Sequence, residues 1–137
     1  LRRGAAASGR SDTPGVSLPA FIAMGRDEAE IRAAAMAVGK QIAFYGSTPA
    51  YLPVLELHGW AGVHEELNAA SRRGEWQTMA SIVTEEIVRE FAVIGTPEQV
   101  AAQLRQRFGG VVSRLSFSAP YPVAPELWPA LYAALRA

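Results

Sequence analysis

The last third of the chain contains a helix whose start and end are both marked in the sequence. A strand follows this helix directly. Thr96 and Gln99 have the spacing of a capping box, in which each side chain bonds the backbone N–H of the other residue. Pro97 takes the first helical position, where a missing N–H costs nothing. The pair Gly109–Gly110 ends the helix, because glycine adopts the left-handed conformation without a Cβ penalty. The β-branched and aromatic run Val111–Phe117 then predicts a buried strand, so the segment indicates an α/β protein.

An earlier strand is followed by a second capped helix. The segment Val16–Ala23 has strand character, and Pro19 within it indicates a sheet edge or a bulge, since proline cannot donate to the ladder. Asp27 with Glu30 three residues later marks a helix start. Apolar residues at spacings of three and four then continue this helix for about five turns, to near Gly46.

The two strands are separated by more helix than a simple connection requires. One crossover helix is enough to join parallel strands, so the helices between residues 47 and 90 are interpreted as an insertion. The sequence further predicts a helix opening at Pro49, helices at His64–Arg73 and Glu75–Arg89, an extended piece at Phe91–Ile94 and a last helix at Glu126–Arg136. Residues 1–9 have the character of the end of a helix, and no Met begins the chain, so we expect a piece of a longer protein.

Composition excludes several classes of function. The 137 residues, half of them hydrophobic, predict one domain with its own core. Thirteen basic and thirteen acidic residues balance without a Lys/Arg cluster, so nucleic acid is not an expected partner. No cysteine is present, which excludes disulfides and thiolate metal sites and fits a cytoplasmic protein. No apolar run approaches the roughly 18 residues that span a bilayer.

Four segments together resemble the luciferase-like flavin and deazaflavin (coenzyme F420) oxidoreductases and monooxygenases. They are Gly25–Glu30, Gln41–Tyr51, Leu55–Trp60, and Gly95–Val100 with the strand that follows. The resemblance implies a helix-rich (β/α)8 TIM barrel, of which residues 1–137 form the C-terminal part: one domain with the last two βα steps and a helical insertion. It also implies a dimer or other homo-oligomer and F420, or alternatively FMN, as cofactor. The cofactor would be held mostly by preceding loops, and not by this chain alone.

Active sites of such barrels lie at the carboxyl ends of the strands. In this sequence those ends are the segments Met24–Arg26 and Ala119–Tyr121. We expect the insertion to cover the same face and a small-molecule substrate to bind there. The candidate pocket residues are Tyr45, Ser47, Thr48, Tyr51, His58 and Tyr121.

Structural roles compete for most of these candidates. Tyr45 continues an apolar helix stripe, Ser47 or Thr48 can be a helix cap, and His58 can be purely structural. His58 and His64 are six residues apart, which is not a metal-binding spacing on a helix, so we predict no metal site. No catalytic residue is identified from the sequence. The alternative function is a non-catalytic α/β module that self-associates through open sheet edges.

Overall fold

The computed structural model describes residues 1–12 and 14–137. In chain order these form α1 (Arg2–Ala7), β1 (Ser17–Met24), α2 (Glu28–Gly46), a 3-10 turn (Pro49–Tyr51), α3 (Leu52–Leu57), α4 (Ala61–Arg72), α5 (Trp76–Ile82), α6 (Glu85–Phe91), β2 (Ala92–Gly95), α7 (Pro97–Phe108), β3 (Arg114–Ser118) and α8 (Leu127–Arg136). The prediction of a helix-rich α/β fold with parallel strands is confirmed. The extended piece before Gly95 is a third strand, β2.

The three parallel strands have the order β2-β1-β3. Met24 lies opposite Gly95 on one side of β1, and Ser17 lies opposite Arg114 on the other side. In a (β/α)8 barrel consecutive strands are neighbours, and the two strands predicted as the last barrel steps, β1 and β3, do pair in parallel, as a partial barrel requires. Here β1 is the central strand, and the two later strands lie on either side of it.

Helices cover both faces of the sheet at β1 and β2. On one face Ile22 packs with Leu104 of α7 and Leu131 of α8. On the other face Ala23 packs with Val38 of α2, in a cluster that α6 completes. All five side chains are at most 1% exposed. Because successive residues of β1 point to opposite faces and are apolar on both, the sheet is stable only when both faces are removed from water.

The prediction that Pro19 places its strand at a sheet edge is wrong for β1 as a whole, which is central. The register explains why the proline is tolerated. Strand β2 pairs only with Phe21–Met24, whereas β3 pairs with Ser17–Phe21. Pro19 therefore lies in the half of β1 that has a paired strand on one side only, where a missing donor leaves the ladder intact.

The segment predicted as one helix at Glu75–Arg89 forms two helices, α5 and α6. The backbone is extended at Val83 and Thr84. The Thr84 hydroxyl accepts a hydrogen bond from the N–H of Ile87 at 3.4 Å, so a new N-cap begins α6. The threonine followed by two glutamates was the signal for this break.

The predicted strand at Val111–Phe117 begins later than expected and is less buried. Val111 is 68% exposed in the turn after α7, and β3 starts at Arg114. Leu115 and Phe117 pack against the core while Arg114 is exposed. This alternation follows from the position of β3 at the sheet edge, with one face toward water.

None of the helices formed by residues 1–12 and 14–137 has the length and apolar character needed to cross a bilayer.

Candidate functional site at the carboxyl edge of the sheet

Two glycines lie side by side where β1 and β2 end. The N–H of Gly25 donates to the carbonyl of Gly95 at 3.4 Å. A Cβ at Gly25 would come within 2.7 Å of the backbone nitrogen of Ile31, and Gly95 has a φ of 151°, which side chains other than glycine rarely adopt. These glycines let α2 and α7 begin immediately at the carboxyl edge.

The starts of both helices are satisfied by side chains of the chain itself. Asp27 accepts the N–H of Glu30 at 2.9 Å, as the sequence predicted. Thr96 and Gln99 form the predicted capping box, with the N–H of Thr96 donating to the Gln99 side chain at 2.9 Å. Each cap takes up one of the free N–H groups of its helix start, and the carboxylates of Asp27, Glu28 and Glu98 add negative charge there, which disfavours a phosphate.

Arg26, two residues beyond the end of β1, is engaged by two carboxylates. Its Nε donates to Glu30 at 2.8 Å, and its backbone N–H donates to the same carboxylate at 2.9 Å. A terminal guanidinium nitrogen donates to Glu126 at 3.3 Å. The Arg26 hydrogen bonds lower the pKa of Glu30 to about 2. At neutral pH the three side chains carry one net negative charge.

Tyr121 joins the segment after β3 to the end of β1. Its hydroxyl oxygen accepts the N–H of Met24 at 2.8 Å, and the hydroxyl proton faces the Met24 carbonyl at 3.4 Å. Burial raises the pKa of Tyr121, and the hydrogen bond to the Met24 backbone opposes that effect. The phenol is therefore a neutral, fixed hydrogen-bonding group at the carboxyl edge.

A pocket of about 480 Å³ lies between the start of α2 and the segment that leads into α8. Arg26, Glu30 and Tyr121 contribute its polar groups, while Met24 and Leu127 contribute apolar wall. We call it the carboxyl-edge pocket. Its volume and its few convergent polar groups are those of a small-molecule site.

The structure does not bring the six predicted residues together. Tyr121 lies at the carboxyl edge, whereas the other five lie toward the amino ends of the strands, because α2 runs back along the sheet before the insertion begins. There the Tyr45 ring contacts those of Phe21 and Tyr51, with centroids 6.2 and 5.4 Å apart. A second pocket at this place, which we call the aromatic pocket, is lined by Phe21, Ile42, Tyr45, Tyr51, Leu55 and Phe91 among others.

Ser47 and Thr48 have structural contacts at the end of α2. Ser47 is buried, and its hydroxyl donates to the carbonyl of Phe44 at 2.7 Å. Thr48 precedes the 3-10 turn without a side-chain capping bond. Its hydroxyl lies 3.4 Å from the Phe44 carbonyl. Both therefore act at the C-terminal end of α2.

His58 has aromatic neighbours and one nearby carboxylate. Its ring stacks on Trp60 with centroids 4.9 Å apart and meets the edge of Phe91 at 5.5 Å. Its Nδ1 lies 4.0 Å from Glu90. These contacts place His58 at the rim of the insertion, away from the carboxyl-edge pocket.

His64 has a role that the sequence analysis missed. It is buried on α4, with its Nδ1 2.7 Å from the carbonyl of Gly46. Asn68, one turn further along α4, donates to the carbonyl of Ser47 at 2.8 Å. The two side chains satisfy carbonyls at the end of α2 that lack helical partners. A polar pair at spacing four beside apolar residues was the available signal.

Within the described residues no three potential metal-ligating side chains come together.

Comparison with known proteins decides the family. Residues 1–114 match the model of the luciferase-like monooxygenase family. The chain belongs to this family. The resemblance found in the sequence is thereby confirmed. The match ends at the first residue of β3, so Tyr121 and Glu126 of this luciferase-like chain lie beyond it.

Its relatives are longer proteins. One from Mycobacterium tuberculosis and one from Mycobacterium bovis, both named as uncharacterized proteins, are 48% identical over 116 residues, covering 84% of this chain and 34% of theirs. The 5,10-methylenetetrahydromethanopterin reductase of Archaeoglobus fulgidus is 33% identical over 86 residues, covering 59% of this chain and 24% of the reductase. The chain thus spans about a third or less of the curated relatives it matches. No solved structure matches it.

Proposed function

We propose that the chain is the C-terminal part of a luciferase-like oxidoreductase that transfers a hydride between F420, or alternatively FMN, and a small organic substrate. The observation that carries this proposal is the family match over residues 1–114. The name of the archaeal relative, a reductase, supports the same class of chemistry. The alternative reaction is a monooxygenation, in which the reduced cofactor activates oxygen.

We propose that this chain supplies the substrate side of the active site. The carboxyl-edge pocket lies where α/β proteins with parallel strands bind their ligands. Tyr121 would orient a polar atom of the substrate, since Met24 holds its hydroxyl in place. Arg26 would shape the pocket through its ion pairs and would not bind the substrate directly, because Glu30 and Glu126 already occupy its guanidinium.

The residues described at the carboxyl edge do not fit the phosphate of either cofactor. Arg26 is paired with two carboxylates, the cluster around it is negative, and the two adjacent helix starts are capped. A phosphate requires unpaired donors or positive charge. We therefore propose that the remainder of a longer protein holds the cofactor. We also propose that this longer protein is a homo-oligomer.

A fluorescence titration with F420 and with FMN tests this function. It is made on the 137-residue chain and, in parallel, on a longer luciferase-like protein that contains it. We expect saturable binding of one of the two cofactors by the longer protein and none by the chain alone. A longer protein that binds neither cofactor would contradict the oxidoreductase function. Tight binding by the chain alone would contradict the division of labour proposed here.

A further inference from the structure

We propose that the aromatic pocket binds a small neutral aromatic molecule of one or two rings. The pocket lies toward the amino ends of the strands, at the far end of α2 from the carboxyl-edge pocket. It shares no residue with that pocket. The proposal therefore does not depend on the oxidoreductase function.

The floor of the aromatic pocket is apolar and buried. Ile42 is 6% exposed and Leu55 is 3% exposed. Gly46, also buried, contributes no side chain, and a Cβ there would come within 2.9 Å of the Leu67 side chain. Gly46 thus lets α2 pack closely on Leu67, and on Leu55 of the pocket floor, which a Cβ would approach at 3.6 Å. An apolar floor of this kind favours an apolar ligand over water.

The walls of the pocket are aromatic rings that remain partly exposed. Tyr45 is 37% exposed and Tyr51 is 44% exposed, and with Phe21 they form a run of rings that are tilted to one another by 42° to 45°. Phe91 contributes a further ring from the end of α6. Tilted rings offer faces and edges to a planar guest. A guest that covers them removes apolar surface from water.

The size and the polarity of the pocket define the class of ligand. Its volume is about 230 Å³, and a dry apolar cavity of about 150 Å³ is enough for benzene. None of the described residues that line it is charged, which favours a neutral molecule. Within the described part of the chain, the hydroxyls of Tyr45 and Tyr51 form no hydrogen bond, so either can bind one polar substituent of the ligand.

Titration of the 137-residue chain with indole, followed by amide chemical shifts, tests the proposal. Indole is neutral, has two fused rings and carries one N–H donor. We expect saturable shifts centred on Phe21, Tyr45 and Tyr51, with a dissociation constant below about 1 mM. Shifts that stay linear with concentration, or that centre on the carboxyl-edge pocket, would overturn the proposal.

Two tryptophan substitutions in α3 form a matched pair. Val54→Trp places a large ring at the pocket, whereas Leu57→Trp places the same ring on an exposed position outside it. We expect Val54→Trp to weaken indole binding at least tenfold and Leu57→Trp to leave it unchanged. Tyr51→Ala, which removes a wall at an exposed position, should weaken it as well. Equal effects of the two tryptophan substitutions would overturn the proposal. So would a dimeric wild-type chain that becomes monomeric on Val54→Trp, because the pocket would then be filled by a second copy of the chain.

Discussion

At the residue scale, the hydroxyl of Tyr121 is expected to stabilise the carboxyl edge. Tyr121→Phe removes the acceptor of the Met24 N–H, a bond of 2.8 Å. We expect the free energy of unfolding to fall by about 1–2 kcal/mol, the range for losing one partly buried hydrogen bond. Urea denaturation measures this. Tyr132→Phe is the control, because Tyr132 is 48% exposed and its loss of a hydroxyl should change the stability by less than about 0.5 kcal/mol.

The ion pair of Arg26 and Glu30 is expected to make stability depend on pH. The pKa of Glu30 is lowered from 4.5 to about 2 by Arg26. A carboxyl whose folded pKa is depressed adds stability above its unfolded pKa and loses it as the pH falls. The stabilisation is therefore complete above about pH 5 and is lost toward pH 2. We expect Glu30→Gln to destabilise the chain at pH 7 and to match wild type near pH 2 in urea denaturation.

Glu28→Gln is the matched control for this ion pair. It removes the same charge from the same first turn of α2. The Glu28 carboxylate is 88% exposed and lies 3.5 Å from Arg32, so the pair is worth little. An equal pH dependence for both variants would show that net charge, and not the Arg26 contact, is responsible.

At the scale of elements, α4 is expected to hold the end of α2 through His64. His64→Leu leaves the carbonyl of Gly46 without its side-chain partner in a buried place. We expect a loss of about 1–3 kcal/mol in the free energy of unfolding, the cost of one unsatisfied buried group. His58→Leu is the control and should cost less than about 1 kcal/mol, because His58 makes no hydrogen bond to the backbone in the described residues. Similar losses in both variants would contradict this role.

At the scale of the whole molecule, the strand order can be tested by a disulfide. The chain has no cysteine of its own. Ser17 and Arg114 are opposite each other on β1 and β3, and neighbouring strands are about 4.8 Å apart, within the range of a disulfide. We expect the variant with Ser17→Cys and Arg114→Cys to form a disulfide on oxidation, detected by mass spectrometry.

The control for the strand order moves one cysteine along β3. In the pair Ser17→Cys and Ser118→Cys the second residue lies four positions further on, roughly 13 Å away at the rise of a strand. It should not form a disulfide. If the two pairs behave alike, the register of β3 beside β1 is contradicted.

Much of the local structure is decided by sequence. The helix starts at Asp27 and at Thr96 were predicted because a cap and its partner lie three residues apart, within one turn. The character of β1 and α7 followed from apolar spacing, which reports the period of the backbone. The break at Thr84 was predictable by the same reasoning but was missed, since the apolar stripe continued across it.

The family and the local elements could be predicted from the sequence, because both depend on residues close together in the chain. The tertiary structure alone decided the strand order and the location of each site. Tyr121 meets Met24 across 97 positions of sequence, and His64 meets Gly46 because α4 folds back on α2. Tyr45 and Tyr51 lie away from the carboxyl edge because α2 is long enough to run back along the sheet. Such contacts form when helices distant in the sequence pack on the sheet to remove its apolar faces from water. A local sequence pattern does not indicate which helix packs where.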